Sequence, residues 1–93
     1  MEFNALLVVE FEDSVDGVSR EMFAERLVQL NWVRDTLVRH AWNMEFERSS
    51  HDSAMRSAKT CLDLACARAR INRNQIRALL HIGPSGPVQV GPT

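Results

Sequence analysis

The sequence predicts a small α+β fold, a two-layer ferredoxin-like sandwich with the order β-α-β-β-α-β and both helices on one face of an antiparallel sheet. Two alternating apolar segments, which begin near Phe3 and end near Ile82, indicate strands. Two segments between them carry apolar residues at helical spacing. The 93 residues suffice for one core, so we assign residues 1–82 to one α+β domain. Residues 83–93 form a Gly- and Pro-rich tail.

The first strand is apolar on both faces at its centre. Leu6 and Val8 lie on the second face, between Asn4 and Glu10. Strands of this kind lie in the middle of a sheet and are covered on both sides. We therefore expect a central strand whose second face needs a cover. The first face is formed by Phe3, Ala5, Leu7, Val9 and Phe11.

The first helix follows an acidic, turn-rich loop at residues 12–17. Ser19 is the expected N-cap, and Asn31 is suited to the left-handed conformation that ends many helices. Phe23 and Leu27 belong to the apolar stripe of this helix. We therefore expect a helix that packs this stripe against the sheet.

The segment at residues 33–47 allows two interpretations. Apolar residues alternate from Val38 through Trp42, but Val33 and Leu37 have the opposite parity. A regular strand cannot change faces, so the chain contains either a reversal or a bulge. We expect two short strands, about residues 33–37 and 40–47. The alternative is a β-α-β-α-β order with one long bulged middle strand.

The second helix is predicted to start at Ser49-Ser50 and to end near Ala69, with an alanine-rich stripe that allows close approach to the sheet. A last strand follows. Val88 and Val90, in the tail, are candidates for an additional edge strand. The inward face of the last strand is formed by Ile76, Ala78, Leu80 and Ile82.

The net charge of -1 hides an asymmetry between the two halves of the chain. Residues 1–47 have a balance of -6, and residues 48–93 have a balance of +5. The two cysteines, Cys61 and Cys66, point apart on a helix and cannot form a disulfide with each other, so a reducing, cytoplasmic location is expected. We expect no signal peptide, membrane span or cofactor.

The acidic residues Glu10, Glu12 and Asp13 are weak candidates for a metal site because hard cations prefer clustered oxygen ligands. Solvated turn carboxylates explain the same residues without an ion, so we assign no metal site and no catalytic residue. His40 on an apolar strand face is interpreted as a partly buried histidine, although its ring could titrate near neutrality.

Among the charged residues, four arginines are the main candidates for a binding site. They lie around the exit of the second helix, and guanidinium groups suit phosphate and carboxylate contacts. We assign them to an anion- or partner-binding role, with dipole complementation and solvation as the simpler explanation. The residues are Arg68, Arg70, Arg73 and Arg77.

The sheet face left uncovered by the helices predicts association. Leu6 and Val8 would form an apolar patch there, and Leu79 is a further candidate for it. We therefore expect a homodimer that binds protein and serves a regulatory or antitoxin-like role. The alternatives are a metal-dependent ribonuclease that uses the acidic loop, and a nucleic-acid binder that uses the arginines.

The order of elements resembles that of two groups of small ferredoxin-like proteins: the CRISPR-associated endoribonuclease-like dimers and bacterial toxin–antitoxin components. The likeness rests on the strand Leu-Leu-Val-Val-Glu-Phe-Glu-Asp, the helix exit at Asn31-Trp32 and the strand through Trp42. It covers the order of elements and no signature motif. The strand-end aspartate of the nucleases would fall at Glu10 or Glu12, a departure that argues against metal-dependent cleavage.

Overall fold

Four antiparallel strands and two helices make up the computed structural model, which describes residues 3–47 and 50–83. The elements are β1 (Phe3–Phe11), α1 (Gly17–Gln29), β2 (Val33–Arg34), β3 (Ala41–Phe46), α2 (His51–Ala69), a 3₁₀ turn (Arg73–Gln75) and β4 (Ile76–Gly83). The sheet order is β2-β3-β1-β4. The predicted two-layer α+β sandwich is therefore confirmed, and the middle segment contains two strands instead of one long bulged strand.

The core lies between the sheet and the two helices. The Leu7 face of β1 is buried, and the largest side chains packed in this layer include Phe23, Trp32 and Trp42. The Phe23 ring meets Trp42 edge-on at 5.7 Å between ring centroids. Edge-to-face contacts of this kind add to the free energy of burial. Both tryptophans therefore belong to the core, as the apolar pattern around them indicates.

The start of α1 differs from the prediction. Asp16, and not Ser19, is the N-cap, because the backbone N–H of Ser19 donates to Asp16 Oδ1 at 2.7 Å. Gly17 and Val18 therefore already belong to the helix. This hydrogen bond lowers the pKa of Asp16. The helix ends near the expected position, and Asn31 has a positive φ of 74°.

The reversal between β2 and β3 is longer than predicted, so both strands are shorter. Val38 and His40 lie in the turn, not on the apolar face of β3. Asp35 organises this turn: its Oδ2 accepts the backbone N–H of Val38 at 2.9 Å, and its own N–H donates to Ala41 O at 2.8 Å. His40 supplies the positive φ, 59°, that a glycine usually provides.

Helix α2 follows the prediction closely. Ser50 is the N-cap, and its Oγ accepts the backbone N–H of Ser53 at 3.1 Å. Arg70 follows the last helical residue as the C-cap, and its φ of 57° turns the chain so that Ile71 N–H donates to Cys66 O at 2.9 Å. The buried positions are Ala54, Ala58, Leu62, Ala65, Cys66 and Ala69. Cys61, expected on this stripe, is only half-buried.

Strand β4 is the outermost strand beside β1 among the described residues. Ile76 and Ile82 are buried on the inward face as predicted, but Leu80 is half-buried and Ala78 is exposed. The helices therefore cover the two ends of this strand better than its middle. The predicted edge strand at residues 88–90 lies outside the described residues.

The two-layer core predicts a contrast between two leucines. Leu7 is 2% exposed and Leu37 is 68% exposed. Leu7→Ala leaves a cavity, so the free energy of unfolding should fall by about 3 kcal/mol. Leu37→Ala should change it by less than about 0.5 kcal/mol. Urea unfolding measures both values, and equal losses in the two variants would contradict this core.

Candidate association surface

The sheet has one face that the helices do not cover, formed by alternate residues of its strands. On β1, the residues that alternate with the buried ones include Leu6, Val8 and Glu10. The strand register places further residues opposite these. We call this surface the open face. Its residues are Asn4, Leu6, Val8, Glu10, Val33, Ala41, Asn43, Glu45, Arg77, Leu79, His81 and Gly83.

The centre of the open face is apolar. Val8 lies directly opposite Leu79, and Leu6 is its neighbour along β1. Leu79 is 76% exposed, whereas Leu6 and Val8 are half-buried. Val33 at the β2 edge is 66% exposed. The structure thus places the two residues predicted for association beside Leu79, in one patch.

A charged pair lies at one end of this patch. Glu10 and Arg77 occupy opposing positions on β1 and β4, and both are exposed. They also line a shallow cleft of about 370 Å³. The acidic half and the basic half of the chain therefore meet on this face. Glu12, Asn74, Gln75 and Ile76 complete the lining of the cleft.

The four arginines of the predicted anion site lie in different parts of the molecule. Arg68 and Arg70 are exposed at the end of α2. Arg73 Nε lies 3.6 Å from Asp63 Oδ1, so its charge faces a carboxylate on the helical layer. Arg77 is on the open face. The arrangement places two arginines in solvent, one in an ion pair and one beside Glu10.

In the acidic loop after β1, main-chain carbonyls bind Arg20 and one carboxylate, that of Asp16, caps α1. The Glu12 carbonyl accepts Arg20 Nη2 at 3.2 Å, and Arg20 Nε donates to Val15 O at 2.9 Å. Asp16 is occupied as the helix cap. Asp13 is exposed. Within residues 3–47 and 50–83, no three His, Cys, Asp or Glu side chains are grouped so that they could hold a metal ion.

The turn before β3 contains a cluster that the sequence pattern did not indicate. The His40 ring packs edge-on against Phe11 at 5.1 Å between centroids, and the Arg20 guanidinium lies 5.4 Å from the centre of the same ring. Burial lowers the pKa of His40, and the positive charges of Arg20, Arg39 and Arg34 lower it further. His40 is therefore a neutral packing residue near neutral pH.

Two cysteines on α2 are free thiols. Cys66 is buried, and burial raises the pKa of its thiol, partly offset by the neighbouring Arg73. Cys61 is half-buried. A raised pKa keeps Cys66 protonated and unreactive, so this position has the character of a core residue.

Leu79 and Asn43 are the open-face residues that sequence reasoning weighted least. Leu79 is only a further candidate for the patch in the sequence. Asn43 lies between Leu6 and Val33, and its buried Oδ1 has no hydrogen-bond partner in the described part of the chain. Neither residue belongs to a motif. The cross-strand register, which only the paired structure supplies, brings them into the patch.

Neither α1 nor α2, the helices within the described residues, combines the length and the apolar content that crossing a membrane requires. No protein-family model matches the chain, and no curated protein matches its sequence.

A solved structure does resemble the chain: the X-ray structure of protein SP2199 from Streptococcus pneumoniae, a structural-genomics target. The TM-score is 0.56 at 20% sequence identity, over 91% of this chain and 88% of that one. At this identity the likeness shows the fold alone. The chain is therefore a small α+β domain whose fold is shared with a bacterial protein.

The environment of His40 predicts how stability depends on pH. Its folded-state pKa is below the ordinary 6.5, so the unfolded chain binds the proton more readily as the pH falls. Stability should decrease as the pH falls through 6.5 and level off below the folded-state pKa. His40→Asn, which tolerates a positive φ, should remove this part of the decrease. Urea unfolding between about pH 7.5 and about pH 5 measures it; identical slopes for the two proteins would contradict the assignment.

Proposed function

We propose that this chain is a small, non-catalytic binding module that associates with a second copy of itself through the open face. The observation that carries the proposal is the apolar centre of that face. Leu6, Val8 and Leu79 adjoin one another there, and Leu79 is 76% exposed. Contiguous exposed apolar surface of this kind typically marks an interaction site.

The pattern on β1 supports a covered face. An antiparallel sheet that faces water on one side typically alternates apolar inward residues with polar outward residues. Here the outward positions at Leu6 and Val8 are apolar, and polar residues return only at Asn4 and Glu10. Burying the apolar centre against another sheet removes it from water, which favours association. The polar residues then lie towards the rim of the contact, as in other protein interfaces.

The role that follows is regulation by protein binding, of the antitoxin-like kind, in the cytoplasm. Two free cysteines on α2 support a reducing compartment. A dimer has two copies of the exposed helical layer available for a protein partner. Arg68 and Arg70 lie at the end of α2, in solvent, and are suited to contacts with acidic groups on that partner.

The ribonuclease and nucleic-acid alternatives have less support. The ribonuclease would need carboxylates of the β1–α1 loop to share an ion, but Asp16 caps a helix and Glu10 faces Arg77. Nucleic-acid binding would need aromatic side chains available for stacking, and Trp32 and Trp42 are buried in the core. Association through the open face requires neither a shared metal ion nor exposed aromatic side chains.

Leu79→Glu tests the proposal. A charge at the centre of a buried contact should raise the dissociation constant of the dimer at least tenfold, a change of about 1.4 kcal/mol. Val18→Glu is the matched control because Val18 is 71% exposed on α1, outside the open face. Sedimentation equilibrium measures both variants and the wild type.

The wild-type protein should sediment as a dimer at concentrations of tens of micromolar, and Val18→Glu should do the same. A wild-type protein that remains monomeric up to about 100 μM would contradict self-association as a specific function. Equal weakening by both substitutions would show that the contact lies elsewhere.

A further inference from the structure

We propose that the second copy lies on the open face in one register, related by a twofold axis that runs parallel to the strands between β1 and β4. Glu10 then faces the partner's Arg77. This inference rests on the proposed self-association and adds its geometry. It identifies which side chains of the two copies meet.

The register between β1 and β4 supplies the pattern. Three consecutive open-face pairs follow one another along these strands: Glu10 with Arg77, Val8 with Leu79, and Leu6 with His81. Each pair consists of directly opposing residues, and successive pairs are separated by two residues along each strand. We call the Glu10–Arg77 pair the charged rung, the Val8–Leu79 pair the apolar rung and the Leu6–His81 pair the mixed rung.

A twofold axis in the interface plane, parallel to these strands, exchanges β1 of one copy with β4 of the other. Each residue then faces the partner's copy of its own cross-strand neighbour. Val8 meets the partner's Leu79, and Leu79 meets the partner's Val8. The charged rung gives two opposite-charge contacts in the same way. The packing distance of about 10 Å between stacked sheets is within reach of facing Glu and Arg side chains.

The two charges of this rung are available for the contact. Glu10 and Arg77 are both exposed and, although they oppose each other on neighbouring strands, they form no ion pair with each other within 4.0 Å. A partner copy can therefore bind each of them without first breaking a contact between the two.

Neighbouring positions of the axis are less favourable. An axis along β1 places Glu10 against the partner's Glu10, and an axis along β4 places Arg77 against the partner's Arg77. Like charges in an interface oppose association. An axis between β1 and β3 sets β1 against the partner's β3, so Glu10 no longer faces the partner's Arg77 and Val8 faces the partner's Ala41. Among these axes parallel to the strands, only the one between β1 and β4 matches both the charged rung and the apolar rung.

Two charge-reversal variants test this register. In Glu10→Arg alone, and in Arg77→Glu alone, like charges face each other across the axis, so self-association should weaken at least about tenfold. An equal mixture of the two variants restores both opposite-charge contacts in a heterodimer. Its dissociation constant should lie within about threefold of the wild-type value. Native mass spectrometry separates the heterodimer from the homodimers because the two variants differ in mass.

The matched control mixes Glu10→Arg with Lys59→Glu. Lys59→Glu makes the same change in charge as Arg77→Glu, but on the exposed surface of α2. In this mixture Lys59→Glu should still form its own homodimer, because its open face is unchanged. Its heterodimer with Glu10→Arg combines one like-charge and one opposite-charge contact, so it should be weaker than the heterodimer of the first mixture. Equal heterodimer formation in both mixtures would overturn the inference.

The outcomes separate this inference from the proposed function. The wild-type protein could be dimeric and the Leu79→Glu variant monomeric while the mixture of Glu10→Arg and Arg77→Glu forms no heterodimer. In that case the register is wrong and the open face is still the interface. If the wild-type protein is monomeric, the register and the proposed function both fail. Heterodimer formation in the first mixture alone supports the register.

Discussion

The placement of both helices on one side of a sheet centred on β1 is the constraint on which the rest of the structure depends. Helix α1 connects β1 to β2, helix α2 connects β3 to β4, and each pair of strands is parallel with one strand between them. Connections of this kind are right-handed. The two pairs run in opposite directions and also cross the sheet in opposite directions, so both helices lie on the same face. The core forms on that face, and neither helix of the described residues covers the other face.

This constraint separates the two functions of the apolar residues on β1. The residues on the Leu7 face hold the domain together, whereas the half-buried Leu6 and Val8 contribute to a patch on the face that neither helix covers. Leu79 on β4 extends the same patch. The open face has an apolar centre flanked by polar residues, an arrangement typical of protein interfaces.

Local pattern predicts much of the fold and less of the surface. The alternation on β1, the alanine stripe of α2 and the Ser50 cap are determined by residues close in sequence, so they are correct. The predicted start of α1 is wrong, because both Asp16 and Ser19 are suitable N-cap residues. The carboxylate of Asp16 accepts the Ser19 N–H, so the helix begins three residues earlier than a Ser19 cap would place it. The turn through His40 cannot be predicted from the sequence pattern, because a histidine adopts the positive φ that glycine usually provides. The pairing of Glu10 with Arg77 depends on strand register, which no short-range pattern contains.

The measurement that tests self-association through the open face most directly is an isotope-filtered NOE experiment on a mixture of ¹³C-labelled and unlabelled protein. Only contacts between different copies give signals. We expect intermolecular NOEs between the methyl groups of Val8 and Leu79, and none at Val18 on α1. Intermolecular NOEs confined to the helical layer, or none at any methyl group at millimolar concentration, would contradict the account.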